Sequence, residues 1–291
     1  MSLSDWSTTW ALQALGAVAR TLPWSGRRTL GRLIGRRMMG LSSSRRRITE
    51  ENVERAFPSI AAPERDAIVH ASYENLGVVL TELLATPTLT REAVLDRVSI
   101  PGFDAVRARH AEGKPTIFLS AHYGNWEYLA MAAGLMLDAP VSIVVHPQHN
   151  AAADRILNAY RSQFGNILVP MGDAARPLVR TLSTGGTVAF LVDQHGVPEK
   201  DPWIEFFGVA APTYEAPAAL ALRFNAPIFY AFADRMEDGR YVAQIRELPM
   251  DDLTNDRDGV RELTRRHVAV LEEQLRRRPE LWSWQHRRWR A

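Results

Sequence analysis

The sequence predicts an α/β fold: a mixed, mostly parallel central sheet flanked by helices, preceded by an N-terminal helical segment that associates with a membrane. Three observations carry this. Beyond residue 100, short apolar runs rich in β-branched and aromatic residues alternate with helix-length segments. The first four runs, PTIFLSA, VSIVVH, NILVPM and GTVAFLVD, are continuously apolar, which is the pattern of parallel strands covered on both faces. Before residue 100, Trp and Leu interleave with Arg in a helical rhythm instead.

The N-terminal part reads as four helices, at about residues 5–20, 26–41, 45–56 and 62–85. Pro63 with Glu64 marks the start of the last, and Thr86-Pro87 its stop. A boundary near Ile100-Pro101-Gly102 separates residues 1–100, a helical segment packed on the core, from an α/β domain over 101–291. The last two apolar runs, PIFYAFADRM and YVAQIREL, are separated only by EDGR and read as an antiparallel hairpin turning at Asp238-Gly239, so the sheet is mixed. Residues 255–277 form a closing helix that Pro279 ends. There is no internal repeat and no long linker.

A chain of 291 residues, 46% hydrophobic and 23% charged, can bury one large core. It contains no Cys, which excludes disulfides and thiolate metal sites and leaves the redox compartment open. The net charge of +2 hides an asymmetry, because arginines gather at the two ends. Arg20, Arg27, Arg28, Arg32, Arg36, Arg37, Arg45, Arg46 and Arg47 stand near the start; Arg276, Arg277, Arg278, Arg287, Arg288 and Arg290 stand near the end. Such blocks suit phosphate-bearing partners, whether anionic lipid headgroups, nucleic acid or an acidic carrier protein; the plain alternative is a solvated helix face.

The run WALQALGAVA is short against the roughly 20 apolar residues a membrane span needs, and Arg20 ends it. No small-residue cleavage site follows a basic start, so no removed signal peptide is expected. Trp6, Trp10, Leu12, Leu15, Trp24, Leu30, Leu33, Ile34, Met38 and Met39 alternate with the arginines as in an interfacial helix pair lying on a bilayer. A helical hairpin packed on the core is the other reading.

The chemistry concentrates in SAHYGNWEYLA, directly after the run TIFLS. In open α/β sheets, working groups gather beyond the carboxyl ends of the strands, and His122 falls at such a place. On one regular helix His122 and Glu127 would diverge by about 140°. They can meet if His122 lies on the turn and Glu127 in the first helical turn, a geometry that Gly124 permits and Asn125 caps. Glu127 would then fix the imidazole tautomer while the other ring nitrogen accepts a proton. The chain has no GxSxG elbow and no Cys, so the nucleophile is expected to be a substrate hydroxyl or amine. Helix-start amides near Asn125 and Trp126 could hold a developing oxyanion.

HYGNWE with its context resembles the signature of the bacterial lipid A biosynthesis acyltransferases, within the lysophospholipid and glycerolipid acyltransferase superfamily, whose mark is a His and an acid separated by four residues. The similarity runs through most of the chain: RRRITEENVERAFP, YENLGVVLTELL, DRILNAYRSQFG, GTVAFLVDQ with FFG and Thr213, and the closing PELWSWQHRRWR. The resemblance implies a glycerolipid acyltransferase-like fold over 101–291. It implies a fatty acyl chain moved from an acyl carrier protein or coenzyme A thioester to a hydroxyl of a membrane lipid, a lipid A precursor foremost. His122 would be the general base and Glu127 its orienting acid, with no metal, no cofactor and no covalent acyl-enzyme.

Carried over by position, Arg161 would meet a phosphate of donor or acceptor, and Asp193 would orient Arg161 or a sugar hydroxyl. In the loop VPEKDPWIEFFG, Trp203, Phe206 and Phe207 would offer apolar contact to an acyl chain, with Gly208 ending the turn. The expected partners are the thioester donor, the lipid acceptor and an anionic membrane surface, not nucleic acid. The expected location is the cytoplasmic face of the bacterial inner membrane, as a peripheral or monotopic protein. Two departures stand out: His195 falls where many relatives carry a second acid, and YEAPAALA follows Thr213 where many have Gly.

Other readings remain at this level. The acceptor could be another glycolipid or a lysophospholipid. His122, His146, His149, Asp193 and His195 could serve a metal-dependent hydrolase, and the arginine blocks a non-enzymatic membrane-binding protein.

Overall fold

The computed structural model describes residues 3–148 and 150–289. His149 and Arg290, named above in the metal-dependent alternative and in a basic block, lie outside the described residues. The N-terminal part forms four helices: α1 (Leu3–Thr21), α2 (Trp24–Leu41), α3 (Ser43–Ala56) and α4 (Ala62–Ala85). Pro23 separates the first two because a proline cannot continue a helix from within, and the Ser42 hydroxyl caps α3 by accepting from the Arg45 N–H. Gly31 and Gly35 of α2 cross Gly77 of α4 so closely that a Cβ at any of the three would strike the other helix's backbone. No described helix is long and apolar enough to cross a membrane.

The rest of the chain alternates as predicted. In order come α5 (Arg91–Arg97), β1 (Val98–Ser99), α6 (Phe103–Ala111), β2 (Thr116–Ser120), α7 (Trp126–Leu137), β3 (Val141–Val145) and α8 (Ala151–Arg161). Then follow β4 (Ile167–Pro170), α9 (Ala175–Ser183), β5 (Thr187–Leu191), β6 (Trp203–Phe206), β7 (Val209–Pro212), α10 (Ala216–Phe224), β8 (Ile228–Arg235), β9 (Tyr241–Glu247) and α11 (Arg257–Arg277).

Seven strands make one sheet in the order β1-β9-β8-β2-β5-β3-β4. Every neighbouring pair is parallel except the β8–β9 hairpin, so the mixed sheet expected from its tight turn is present. Helices cover both faces, which is why the central runs are apolar without alternation. Ile117 and Leu119 of β2 face a core built with α9, α10, α11 and the closing segment, whereas Phe118 between them faces α6 and α7.

The segment VPEKDPWIEFFG is only in part a loop: Val197 and Asp201 at its start reach the cavity described below, and from Trp203 on it is a strand. It supplies β6, which pairs with β7 in a separate two-stranded hairpin. Phe207 and Gly208 turn it with φ of 52° and 73°, the positive values a tight hairpin turn requires. Strand alternation sends Ile204 and Phe206 inward and Trp203 and Glu205 outward.

Candidate active site

The register of the two central strands builds the site. Ser120 of β2 is level with Leu191 of β5, so two residues on, His122 and Asp193 emerge side by side at the carboxyl end of the sheet. Asp193 Oδ1 lies 3.0 Å from His122 Nδ1. Asp193 Oδ2 accepts from the His122 backbone N–H at 3.0 Å and from the Trp282 indole N–H at 2.7 Å. Burial alone would raise this carboxyl, but the His122 charge and hydrogen bond, His286 and the Trp282 donor pull it down to about 2. Ionised Asp193 therefore takes the Nδ1–H, a bond that in the neutral ring leaves the lone pair on Nε2.

The turn after His122 is held from three sides. Gly124 has φ of 58°, and any side chain there would collide with the Ala233 carbonyl of β8. Its N–H donates to Leu281 O at 2.9 Å, and His122 O accepts from the Ser283 N–H at 2.9 Å. Asn125 caps α7 as expected, accepting from the Tyr128 N–H at 3.0 Å.

Glu127 occupies the first turn of α7, as the sequence implied, but its carboxylate is not bonded to the imidazole. Its carboxylate is clamped by Arg161 at the end of α8, with contacts of 3.0 and 2.7 Å. It also accepts from the Trp126 indole N–H at 3.1 Å, and Trp126 sets its ring edge-on to His122. No hydrogen bond joins His122 to Glu127 among the described residues. The physical reason is competition: a guanidinium is always charged and grips a carboxylate with two donors, and the strand register delivers Asp193 to the imidazole instead. Glu127 and Asp193 have thus exchanged the partners expected of them: Glu127 is held by Arg161, and Asp193 holds His122.

In front of His122 opens a cavity of about 840 Å³, lined mainly by apolar side chains. His122, Trp126, Glu127, Arg161 and His286 line it at the strand ends, beside Met38, Leu41 and Arg45 from α2 and α3. It runs on between α7 and the sheet, past Leu129 and Ala133 on the helix and Phe118, Ile143, Ala189 and Ala231 on the strands, to Ile100 and Phe103. Small residues at 133, 189 and 231 leave the space.

The remaining sequence-based candidates sit elsewhere. Asn125 and Thr213 are fully buried: Asn125 donates to Glu82 at 2.7 Å, and the Thr213 hydroxyl accepts from Arg288 at 2.7 Å. Phe206 and Phe207 are core residues packed against Trp282, Trp284 and Phe57. Trp203 is exposed, and none of these five lines the cavity. Among the described residues no three His, Asp or Glu side chains are grouped to hold a metal ion.

Sequence reading missed the closing segment as a wall of the site. His286 lies 5.3 Å from His122, ring to ring, and both approach Gln194. The segment is fastened by Asn52 of α3 to the carbonyls of Trp284 and His286, at 2.8 and 2.6 Å, and by Ser72 and Asn75 of α4 to those of Trp282 and Leu281. The end motifs RRRITEENVERAFP and PELWSWQHRRWR, far apart in sequence, are therefore parts of one structure.

An imidazole backed by a buried carboxylate, at the head of a long apolar cavity, places the protein among the acyltransferases. Residues 2–291 match the family model described as bacterial lipid A biosynthesis acyltransferase, and the chain belongs to that family. It is similar to the lipid A biosynthesis palmitoleoyltransferase of Escherichia coli (strain K12), 21% identical over 90% of this chain and 84% of the relative. The lipid A biosynthesis acyltransferase of Shigella flexneri matches with the same identity and coverage.

Proposed function

We propose that the protein transfers a fatty acyl chain from an acyl thioester directly to a hydroxyl of a lipid A precursor, with His122 as general base and Asp193 as the group that orients it. The observation that carries this is the Nδ1–H···Asp193 bond, which leaves the Nε2 lone pair of His122 at the head of the apolar cavity. The acyl chain lies between α7 and the sheet. The acceptor hydroxyl approaches from the strand ends and gives its proton to Nε2 while its oxygen bonds to the thioester carbon. As the tetrahedral adduct collapses, the C–S bond breaks and the proton passes from His122 to the departing thiolate. Asp193 remains ionised and stabilises the transient imidazolium. Glu127 and Arg161 brace the mouth of the cavity as a neutralised pair.

Acyl carrier protein and coenzyme A are both suitable donors, because the mouth carries Arg45 and both donors bring phosphate. Exposed Trp6, Trp10, Leu33 and Leu41 on α1 and α2, among arginines, support peripheral seating on an anionic bilayer at the cytoplasmic face, with the cavity mouth beside Leu41. Purified protein offered acyl carrier protein and coenzyme A thioesters with radiolabelled lipids of several headgroups is expected to label a lipid A precursor. Failure to label any lipid refutes the reading; labelling of a lysophospholipid alone replaces the acceptor.

A further inference from the structure

Gln194 follows the orienting carboxylate directly and has no part in the reaction outlined above. Its side-chain nitrogen lies 2.9 Å from His286 Nε2, 3.3 Å from His122 Nε2 and 3.4 Å from His122 Nδ1. The last contact is not a hydrogen bond, because Nδ1–H is committed to Asp193. That commitment also fixes the amide's orientation. With Nε2 of His122 a lone pair, the group facing it must be the NH2 donor and not the carbonyl. The second N–H then requires His286 Nε2 to be a lone pair as well.

We propose that Gln194 is a positioning residue that couples the two imidazoles: its NH2 group bridges Nε2 of His122 and Nε2 of His286, aligns both rings with these nitrogens as acceptors, and yields the first contact to the acceptor hydroxyl. The proposal rests on the reading of His122 as base and names the residue that keeps it ready.

The surroundings agree. His286 is enclosed, and burial, followed by the proximity of His122, pushes its imidazolium down to about 4. The charged groups facing the pair are Asp193 beyond β5, Arg45 from α3 and the Glu127–Arg161 pair from α7 and α8, with His195 also on the cavity wall. Glu127 and Arg161 offset each other, Arg45 opposes a charge on His286, and Asp193 favours one. The amide is the group within hydrogen-bond reach of both Nε2 atoms. A donor-only contact disfavours protonation there, whereas a carboxylate in its place would favour it.

The test is Gln194→Glu in the full chain, read by ring-nitrogen NMR on 15N-histidine-labelled protein, with His122→Asn and His286→Asn assigning the signals. Wild type near neutral pH is expected to show both Nε2 atoms unprotonated. Gln194→Glu is expected to show a protonated Nε2 on at least one ring, and to move the acidic limb of the acyl-transfer profile up by about one pH unit, a roughly tenfold loss of rate below the limb. Unchanged ring states and an unmoved limb in folded Gln194→Glu protein overturn the proposal.

Should that variant fail to fold, Gln194→Met serves: with no donor, His286 is expected to populate both neutral tautomers, and a single unchanged tautomer overturns the proposal. Transfer that survives His122→Ala overturns the base assignment and this proposal with it. Transfer lost in His122→Ala, with unmoved rings in Gln194→Glu, overturns the bridge alone.

Discussion

Replacing Asp193 by Asn separates the orienting role proposed for it from the one the motif assigned to Glu127. The carboxylate accepts three hydrogen bonds, one on Oδ1 from the His122 ring and two on Oδ2 from the His122 backbone and Trp282. An amide has one acceptor oxygen. The two donors at the Oδ2 position claim it, which turns the NH2 toward Nδ1 and forces the proton of His122 onto Nε2, where the base needs its lone pair. Wrong-tautomer imidazoles of this kind cost about 10⁴ in turnover, or about 5 kcal/mol of barrier. Stability falls too. A buried carboxyl held at about 2 against an ordinary 3.8 contributes about 2 kcal/mol above that ordinary value, lost as pH falls toward 2. The paired variant Glu127→Gln strips the charge partner from half-enclosed Arg161 and is expected to cost about 3 kcal/mol of stability while leaving the shape of the pH–rate profile intact. Single-turnover transfer from labelled thioester, with thermal melts of each variant, decides. Asp193→Asn within tenfold of wild type, alongside a folded Glu127→Gln protein slower by a thousandfold, would refute the assignment.

Further expectations follow from the cavity, the core and the helix crossing. Ala133→Phe fills the space between α7 and the sheet and is expected to shorten the accepted acyl chain, with about fourfold weaker transfer for each excluded methylene, from about 0.8 kcal/mol apiece; an unchanged chain-length profile contradicts the placement of the chain. His267 of α11 is fully buried with no side-chain partner on either ring nitrogen among the described residues, and burial, then Arg288, push its imidazolium down to about 3. The unfolded chain binds that proton below about 6.5, so stability falls as pH drops from there toward 3, by about 2 kcal/mol at pH 5. His267→Leu should move the midpoint of acid unfolding to lower pH, as followed by circular dichroism. Gly35→Val drives a side chain into the Tyr73 backbone and is expected to lower the melting temperature by the equivalent of about 3 kcal/mol or more, whereas Gly40→Ala, with open space around it, is neutral or slightly stabilising.

Much of the architecture was legible because it rests on local signals. Continuous apolar runs marked the doubly covered strands, Asp238-Gly239 marked the hairpin, and Gly124-Asn125 marked the turn and cap that start α7. The partners of the site were not legible, because they depend on register between strands 71 residues apart. One trace was present: TIFLSAH and TVAFLVD begin with Thr and reach His122 and Asp193 at the same offset, as parallel strands in register require. The Glu127–Arg161 clamp left no such trace, since a five-residue spacing says where Glu127 sits on its helix and not which cation comes near. Trp203, Phe206 and Phe207 misled for a related reason: an aromatic-rich stretch looks the same whether it greets a lipid or closes a core, and the alternation of β6 decided it.

Asn52 and His286, linked by a hydrogen bond, stand 234 residues apart. That bond fixes the part of the cavity wall that carries the second imidazole, to which the closing segment contributes Gln285 and His286. The site is therefore complete only when the closing segment is docked onto α3 and α4.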